Sequence, residues 1–328
     1  MPLPKITRRH SLAAASALLL TSTLGQAQTA PFDRAIKLVV GFPPGTAPDV
    51  VARTVGQKLG EQIKQPLAVD NRAGAGGQIA AQAVAKSAPD GATLLLGEVG
   101  SIAIAPAAYP KLPYDPTREL MGISEIVRAD FVLVVPTSAP QRNLAEFVTA
   151  ARARKDRSNI ATFGAGTPGH FGAELFADQA GFKIEPVHYR ATGDAVTAII
   201  AGDVQGAFVS TAMALAQVKG GKLRALATTA PQRSPLLPEV PTMIEAGYPK
   251  VDFSAWFAFF LPAGTAPALA DAFNRQIVAA MQSPDVRQKL QDAGFSVLGS
   301  SRADTERLLK SEALRWAAVV KATGFKAE

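Results

Sequence analysis

Ile36-Lys37-Leu38-Val39-Val40-Gly41-Phe42-Pro43-Pro44-Gly45-Thr46-Ala47-Pro48-Asp49 runs from an apolar strand, through a turn of glycine and proline, into a helix. The strand has β-branched residues and almost no polar alternation, the pattern of burial on both faces in a parallel sheet. Beyond the turn, Val51, Val55, Leu59 and Ile63 share one helical face, while Arg53, Gln57, Lys58 and Glu61 fall elsewhere, as in a helix laid on a sheet. Thr46 and Asp49 have capping-box spacing, and Pro48 suits a first turn because it has no N–H to satisfy. An anion can use the same amides, helped by the positive end of the helix dipole. Such joints are also ordinary scaffolding in α/β proteins, so the stretch alone leaves a structural and a binding role open.

The α/β pattern continues outward. Leu67-Ala68-Val69 reads as a strand, Asn71 to Gly77 as a second glycine-rich turn, Gln78 to Lys86 as a helix, and Thr93 to Gly97 as a third buried strand. Pro106, Pro110, Pro113 and Pro116 predict an irregular segment around Tyr109 and Tyr114. A second unit starts at Phe131 to Val135, with a helix over about 143–154, a strand at Asn159 to Phe163, a turn at Gly164 to His170, and a helix ending at Gly181. Strands at 184–189, 205–209 and 223–228 follow, then the apolar run Phe253 to Leu261 and helices near 266–282, 284–292 and 303–323. These last helices have no strand run of their own and must pack on a sheet already made. The expected fold is two α/β lobes around a cleft, lobe 1 being 28–130 plus 253–328 and lobe 2 being 131–252.

Lys5, Arg8 and Arg9, the apolar run Leu12 to Leu24 and the small residues Gly25 and Ala27 have the form of a secretory signal peptide over residues 1–27. Thr7-Arg8-Arg9-His10-Ser11-Leu12 hints at a twin-arginine signal. Ser11 stands where a bulky apolar residue is usual, which favours the general secretory route. Loss of those three cations takes the formal charge from +7 to +4. The surplus is dispersed, with no nucleic-acid footprint. The chain has no cysteine, which excludes disulfides, thiolate zinc, iron–sulfur clusters and a cysteine nucleophile.

Gly164-Ala165-Gly166-Thr167-Pro168-Gly169 is literally G-x-G-x-x-G between strand and helix, with Glu185 at the next strand. Alone this is a dinucleotide fingerprint. Against it stand the export signal and the similar turn at Gly41 to Gly45 in the other lobe. His170 and His188 have no partner at metal-ligand spacing, and no G-x-S-x-G elbow is present. The sequence does supply glycine-rich strand–helix joints in both lobes, with hydroxyls at Thr46, Ser101, Thr167 and Thr192. Opposed helix N-termini of this kind can hold a small anion in a clamshell.

The same residues carry a resemblance. Val39 to Gly45 with Asp49, Asp70 to Gly77, Ala88-Pro89-Asp90-Gly91, Tyr109 to Pro116, Gly164 to His170, Gly221 to Ala227, Pro238 to Thr242 and Leu261 to Thr265 resemble the Bug family. These are the extracytoplasmic solute receptors of tripartite tricarboxylate transporters. The resemblance implies a type II periplasmic binding protein fold, a carboxylate ligand, no cofactor, no catalysis, a monomer in the periplasm, and integral membrane permease subunits as partners. It places the proximal carboxylate on Phe42, Pro44, Gly45, Thr46, Ala47 and Asp49 in one lobe, and on Ala165, Gly166, Thr167 and His170 in the other. The distal end falls to the loop with Glu98 and Ser101 and to Arg190 and Thr192. Departures from the family pattern are Thr46 for a glycine, Glu98 for a serine or threonine, and Arg190-Ala191-Thr192-Gly193 for a lysine with glycines. Glu98 must point away, pair with a cation, or meet an amine on the ligand. An exported enzyme on a small carboxylate and a sensor for a signalling receptor are the alternatives that use the same cleft.

Overall fold

The computed structural model describes residues 32–189 and 192–326. The expected signal peptide and Arg190 lie outside the described residues. Ten strands are hydrogen-bonded in the order β2-β1-β3-β9-β4-β7-β5-β6, with β8 and β10 also on β4. They are β1 (Ile36–Val40), β2 (Leu67–Asn71), β3 (Thr93–Glu98), β4 (Leu120–Pro136), β5 (Ser158–Thr162), β6 (Ile184–His188), β7 (Gly206–Ser210), β8 (Leu223–Thr228), β9 (Ser254–Pro262) and β10 (Ser296–Val297).

Strand β4 organises the molecule. From Leu120 to Asp130 it pairs antiparallel with β9, and β9 continues through β3 to the parallel pair β1 and β2. From Phe131 onward β4 pairs with β7 and β8, and β7 leads to β5 and β6. Register shifts at Gly122/Ser124, Glu125/Val127 and Leu133/Val134 bend and twist the strand as it passes from one sheet to the other. The sequence shows only its second half. Ser124 and Glu125 break the apolar pattern, yet both are buried. Ser124 bonds to the Ser300 carbonyl, and Glu125 takes hydrogen bonds from Arg128.

Helices cover both sheets. Ala47–Ile63 buries Val51, Val55 and Leu59 completely. Pro267–Gln282 packs on that helix and on β4, while Arg302–Thr323 packs on β4 and on Pro168–Ala180. The helices Thr192–Ala201 and Thr211–Lys219 lie between expected strands and have no counterpart in the sequence reading. The proline-rich segment is more regular than expected. Pro106 enters the first turn of the helix Ala105–Ala108, and Pro116 opens Pro116–Glu119, positions where the missing N–H costs nothing.

Rings collect where β4 changes sheets. Phe253 lies 5.3 Å from both Phe131 and Phe208 and 6.5 Å from Trp316. A Cβ on Gly172 would stand 2.0 Å from the Phe253 ring, so only glycine lets the helix Pro168–Ala180 seat against it. Trp256 and Trp316 both donate to Glu312 Oε2, at 2.9 Å, which satisfies two buried indole N–H groups with one carboxylate.

Candidate functional site

Strands β1 and β2 run parallel with Val40 opposite Asn71, which sets the turn after β1 beside the turn after β2. A Cβ on Gly41 would stand 2.5 Å from the Cα of Gly77. The two turns touch backbone to backbone. Gly77 also has φ +87°, a left-handed conformation that glycine adopts without strain. On its other side are Ser101 and the Phe42 ring, 3.5 and 3.6 Å from where a Cβ would be. Phe42, Gly77 and Ser101 thus meet at the C-terminal ends of β1, β2 and β3.

Asp49 is the hub of the first turn and is only 2 % exposed. Its Oδ2 accepts from the Gly45 N–H at 2.8 Å and from Arg53 Nε at 2.9 Å, and its Oδ1 accepts from Asn71 Nδ2 at 2.9 Å. Asn71 also donates to the Phe42 carbonyl at 3.0 Å. Burial pushes the Asp49 pKa up, but the hydrogen bonds from Arg53, Gly45 and Asn71 and the Arg53 charge outweigh it and hold the carboxyl at about 2. The expected capping box is not formed. Thr46 stands at the N-cap, but its hydroxyl donates to the Pro43 carbonyl at 2.7 Å, and Arg53 and Asn71 draw Asp49 onto Gly45 instead. Pro44, Gly45 and Ala47 are exposed around this hub.

Glu98 ends β3 and is 8 % exposed. It folds back on its own chain, where Oε1 accepts the Ser101 N–H at 2.9 Å, and the Ser101 hydroxyl donates to the Glu98 carbonyl at 3.2 Å. Burial pushes its pKa up to about 7, only partly offset by the Gly100 and Ser101 amides, and no cation contributes. Tyr114 donates to the Ser101 carbonyl at 2.6 Å, and its phenol is pushed up by burial and then by the Glu98 charge. The cation partner that was one option for Glu98 is thus absent among the described residues.

The second turn, after β5, is closed on itself. Thr167 is the N-cap of Pro168–Ala180, accepting the His170 N–H at 3.3 Å while its hydroxyl donates to the Gly164 carbonyl at 2.8 Å. The Gly166 N–H donates to His170 Nδ1 at 3.1 Å. His170, 4 % exposed, stacks on Phe171 at 4.7 Å and meets the edges of His188 at 4.7 Å and Phe325 at 5.4 Å. Burial pushes its pKa down to about 4, and His188 adds to the shift. His188 in turn holds Thr162 Oγ1 at 2.6 Å.

Of the residues expected at the site, Phe42, Gly45, Thr46 and Asp49 form one connected turn, with Glu98 and Ser101 beside it. Ala165, Gly166, Thr167 and His170 form another. No hydrogen bond or ion pair among the described residues joins the two turns. Thr192 is the exposed first residue of its helix. Asn71, Arg53, Tyr114 and Phe325 support these turns without having been singled out. Asn71 opens a glycine-rich turn, which was a usable signal, whereas Phe325 is a lone aromatic near the C-terminus with no pattern around it. Among the described residues no acidic or imidazole cluster is placed to hold a metal ion, and no helix is long and apolar enough to cross a membrane. A cavity of about 520 Å³ opens beside Asp130, Thr211, Arg233 and Ser296, but none of the expected site residues among the described residues lines it.

A glycine-rich strand–helix turn stands at the parallel edge of each sheet, after β1 and after β5. The chain matches the model of the tripartite tricarboxylate transporter family receptor over residues 51–325, and it belongs to that family. It is 35% identical to protein BugT of Bordetella pertussis over 294 residues, 89% of this chain and 90% of that one. Among solved structures it is similar to Rpa4515 of R. palustris, solved with adipate, with a TM-score of 0.77 and 31% identity over 89% of this chain and 98% of that one. MatC from Rhodopseudomonas palustris, solved with bound malate, matches with a TM-score of 0.73 and 31% identity over 88% and 99%. The fold is thus the two-lobed periplasmic binding protein fold, and the chain is a solute-binding receptor, not an enzyme.

Proposed function

We propose that this chain captures a small carboxylate between lobe 1 (28–130 plus 253–328) and lobe 2 (131–252), in the periplasm, and presents it to the integral membrane subunits of a tripartite transporter. The observation that carries this reading is the pair of glycine-rich strand–helix turns, one on each sheet, in a chain similar to proteins solved with adipate and with bound malate. The exposed turn from Pro44 to Ala47 takes one side of the proximal carboxylate through the amides that open its helix, the Gly45 N–H being held by Asp49, and the turn from Ala165 to Thr167 takes the other. Asp49 faces inward and acts by holding Gly45, not by touching the anion. Arg190 and Thr192 belong to the distal end, and Glu98 tunes what is accepted beside Ser101. The ligand stabilises the closed form, so closure follows from its differential affinity for the two states.

A thermal-shift panel of adipate, malate, tricarboxylates, aromatic acids and acidic amino acids on residues 28–328 tests the reading. A true ligand at a hundred times its Kd adds about 2.7 kcal/mol of stability, enough for a shift of several degrees. No stabilisation by any member would overturn it, as would turnover of a panel compound.

A further inference from the structure

We propose that His170 is a positioning residue for the second half of the grip: its imidazole, and not the ligand, takes the Gly166 amide and thereby sets the direction of the neighbouring amides before any carboxylate arrives. The inference rests on the carboxylate reading above and deepens it by assigning His170 a role other than ligand contact.

The geometry is specific. Gly166 has φ +75°, a left-handed conformation suited to glycine, and its N–H precedes the helix and needs an acceptor. The acceptor is His170 Nδ1 at 3.1 Å, four residues on and already inside the first turn. An accepting Nδ1 is an unprotonated nitrogen, which places the ring hydrogen on Nε2. The ring cannot swing away, because Phe171 covers one face and the edges of His188 and Phe325 close on it. A displacement of His170 N–H is also prevented, since it is held by Thr167 Oγ1. Burial keeps the imidazole neutral at neutral pH, so the lone pair is permanently on offer. Thr167 Oγ1 braces the other side of the turn through the Gly164 carbonyl. With both ends tied, the backbone between Gly164 and Thr167 is preorganised, the arrangement that lowers the ordering cost of binding.

The test uses residues 28–328, with adipate and malate as probes. Nitrogen-15 spectra of the imidazole in the unliganded protein should show His170 with an unprotonated Nδ1 and hydrogen on Nε2, and the Gly166 amide should exchange slowly. His170→Phe, which fills the space without an acceptor, should weaken probe binding by about tenfold, the loss of about one hydrogen bond. His170→Asn, whose Oδ1 stands close to the place of Nδ1, should restore binding to within about threefold. A protonated Nδ1, a freely exchanging Gly166 amide, a His170→Phe protein that binds as tightly as the parent, or a His170→Asn protein as weak as His170→Phe would each overturn the assignment. Absence of binding to the parent chain would count against these carboxylates as ligands, and the nitrogen spectra and amide exchange would still decide the role of His170.

Discussion

Replacing Glu98 with glutamine should change how stability depends on pH far more than it changes stability itself at acid pH. In the unfolded chain the carboxyl loses its proton near 4.5, whereas burial holds it on in the folded protein until about 7. Between those values the folded state binds more protons, so stability falls as pH rises. At about 1.4 kcal/mol per pH unit the full loss is about 3 kcal/mol, complete a little above pH 7. His170 works in the opposite direction over nearly the same window. Its folded pKa is about 4 against 6.5 for a free imidazole, so the unfolded state binds more protons and stability rises with pH, again by about 3 kcal/mol. The two groups share no hydrogen-bond partner and should add, so their slopes largely cancel between pH 4.5 and 6.5. Glutamine keeps the Oε1 acceptor for the Ser101 amide but cannot ionise. Urea unfolding of parent and Glu98→Gln at pH 4.5, 5.5, 6.5 and 7.5 gives the difference directly, with every other titrating group common to both. The variant should gain about 2–3 kcal/mol on the parent across that range. A difference that stays constant to within about 0.5 kcal/mol would refute the claim that Glu98 is buried without a compensating charge.

Asp49→Asn should cost about 2 kcal/mol near pH 7, since the carboxyl held at about 2 instead of 3.8 stabilises the fold above its unfolded pKa and loses that contribution as pH falls through about 2. Acid titration of parent and variant by circular dichroism should converge below pH 2. Gly77→Ala should lower the melting temperature by several degrees, because its φ of +87° costs a side chain about 1–2 kcal/mol. Phe253→Ala should cost about 3–5 kcal/mol in urea unfolding, and Gly172→Ala about 1–3 kcal/mol from overpacking against the same ring.

The parts legible in the sequence were those whose pattern repeats locally. Strand β1 and the helix after it coincide with the reading to within a residue or two, because Ile36 to Val40 and the Val51, Val55, Leu59 and Ile63 stripe depend only on burial. The first half of β4 is not legible, since the Ser124 hydroxyl and the Glu125 N–H are satisfied by Ser300 and Thr305 from distant sequence and the Glu125 carboxylate by Arg128, and a pattern of apolar residues cannot show that such polar residues are buried. The same limit applied at the site. Thr46 and Asp49 have the spacing of a capping box, yet the outcome was settled by Asn71, which comes from another strand and competes for the carboxylate. The dinucleotide-like run is legible as a glycine turn, but no pattern in it shows that the Gly166 N–H is taken by an imidazole four residues along.

The two halves of the proposed grip are therefore built by different physics. The first turn is tied by a charge, the Asp49 carboxylate with its three donors, and stays formed at any pH where that carboxyl is ionised. The second is tied by a neutral ring enclosed by aromatic neighbours, and it depends on the packing of Phe325 and the C-terminal helix against it. Arg302–Thr323 rests at the same time on β4 and on the helix that carries His170. A shift of one sheet relative to the other would consequently be felt first by the second turn, whereas the first, closed entirely by residues of its own sheet, would move as a rigid piece. On the proposed reading, the first turn is then a fixed surface for the anion and the second one answers to the position of the lobes.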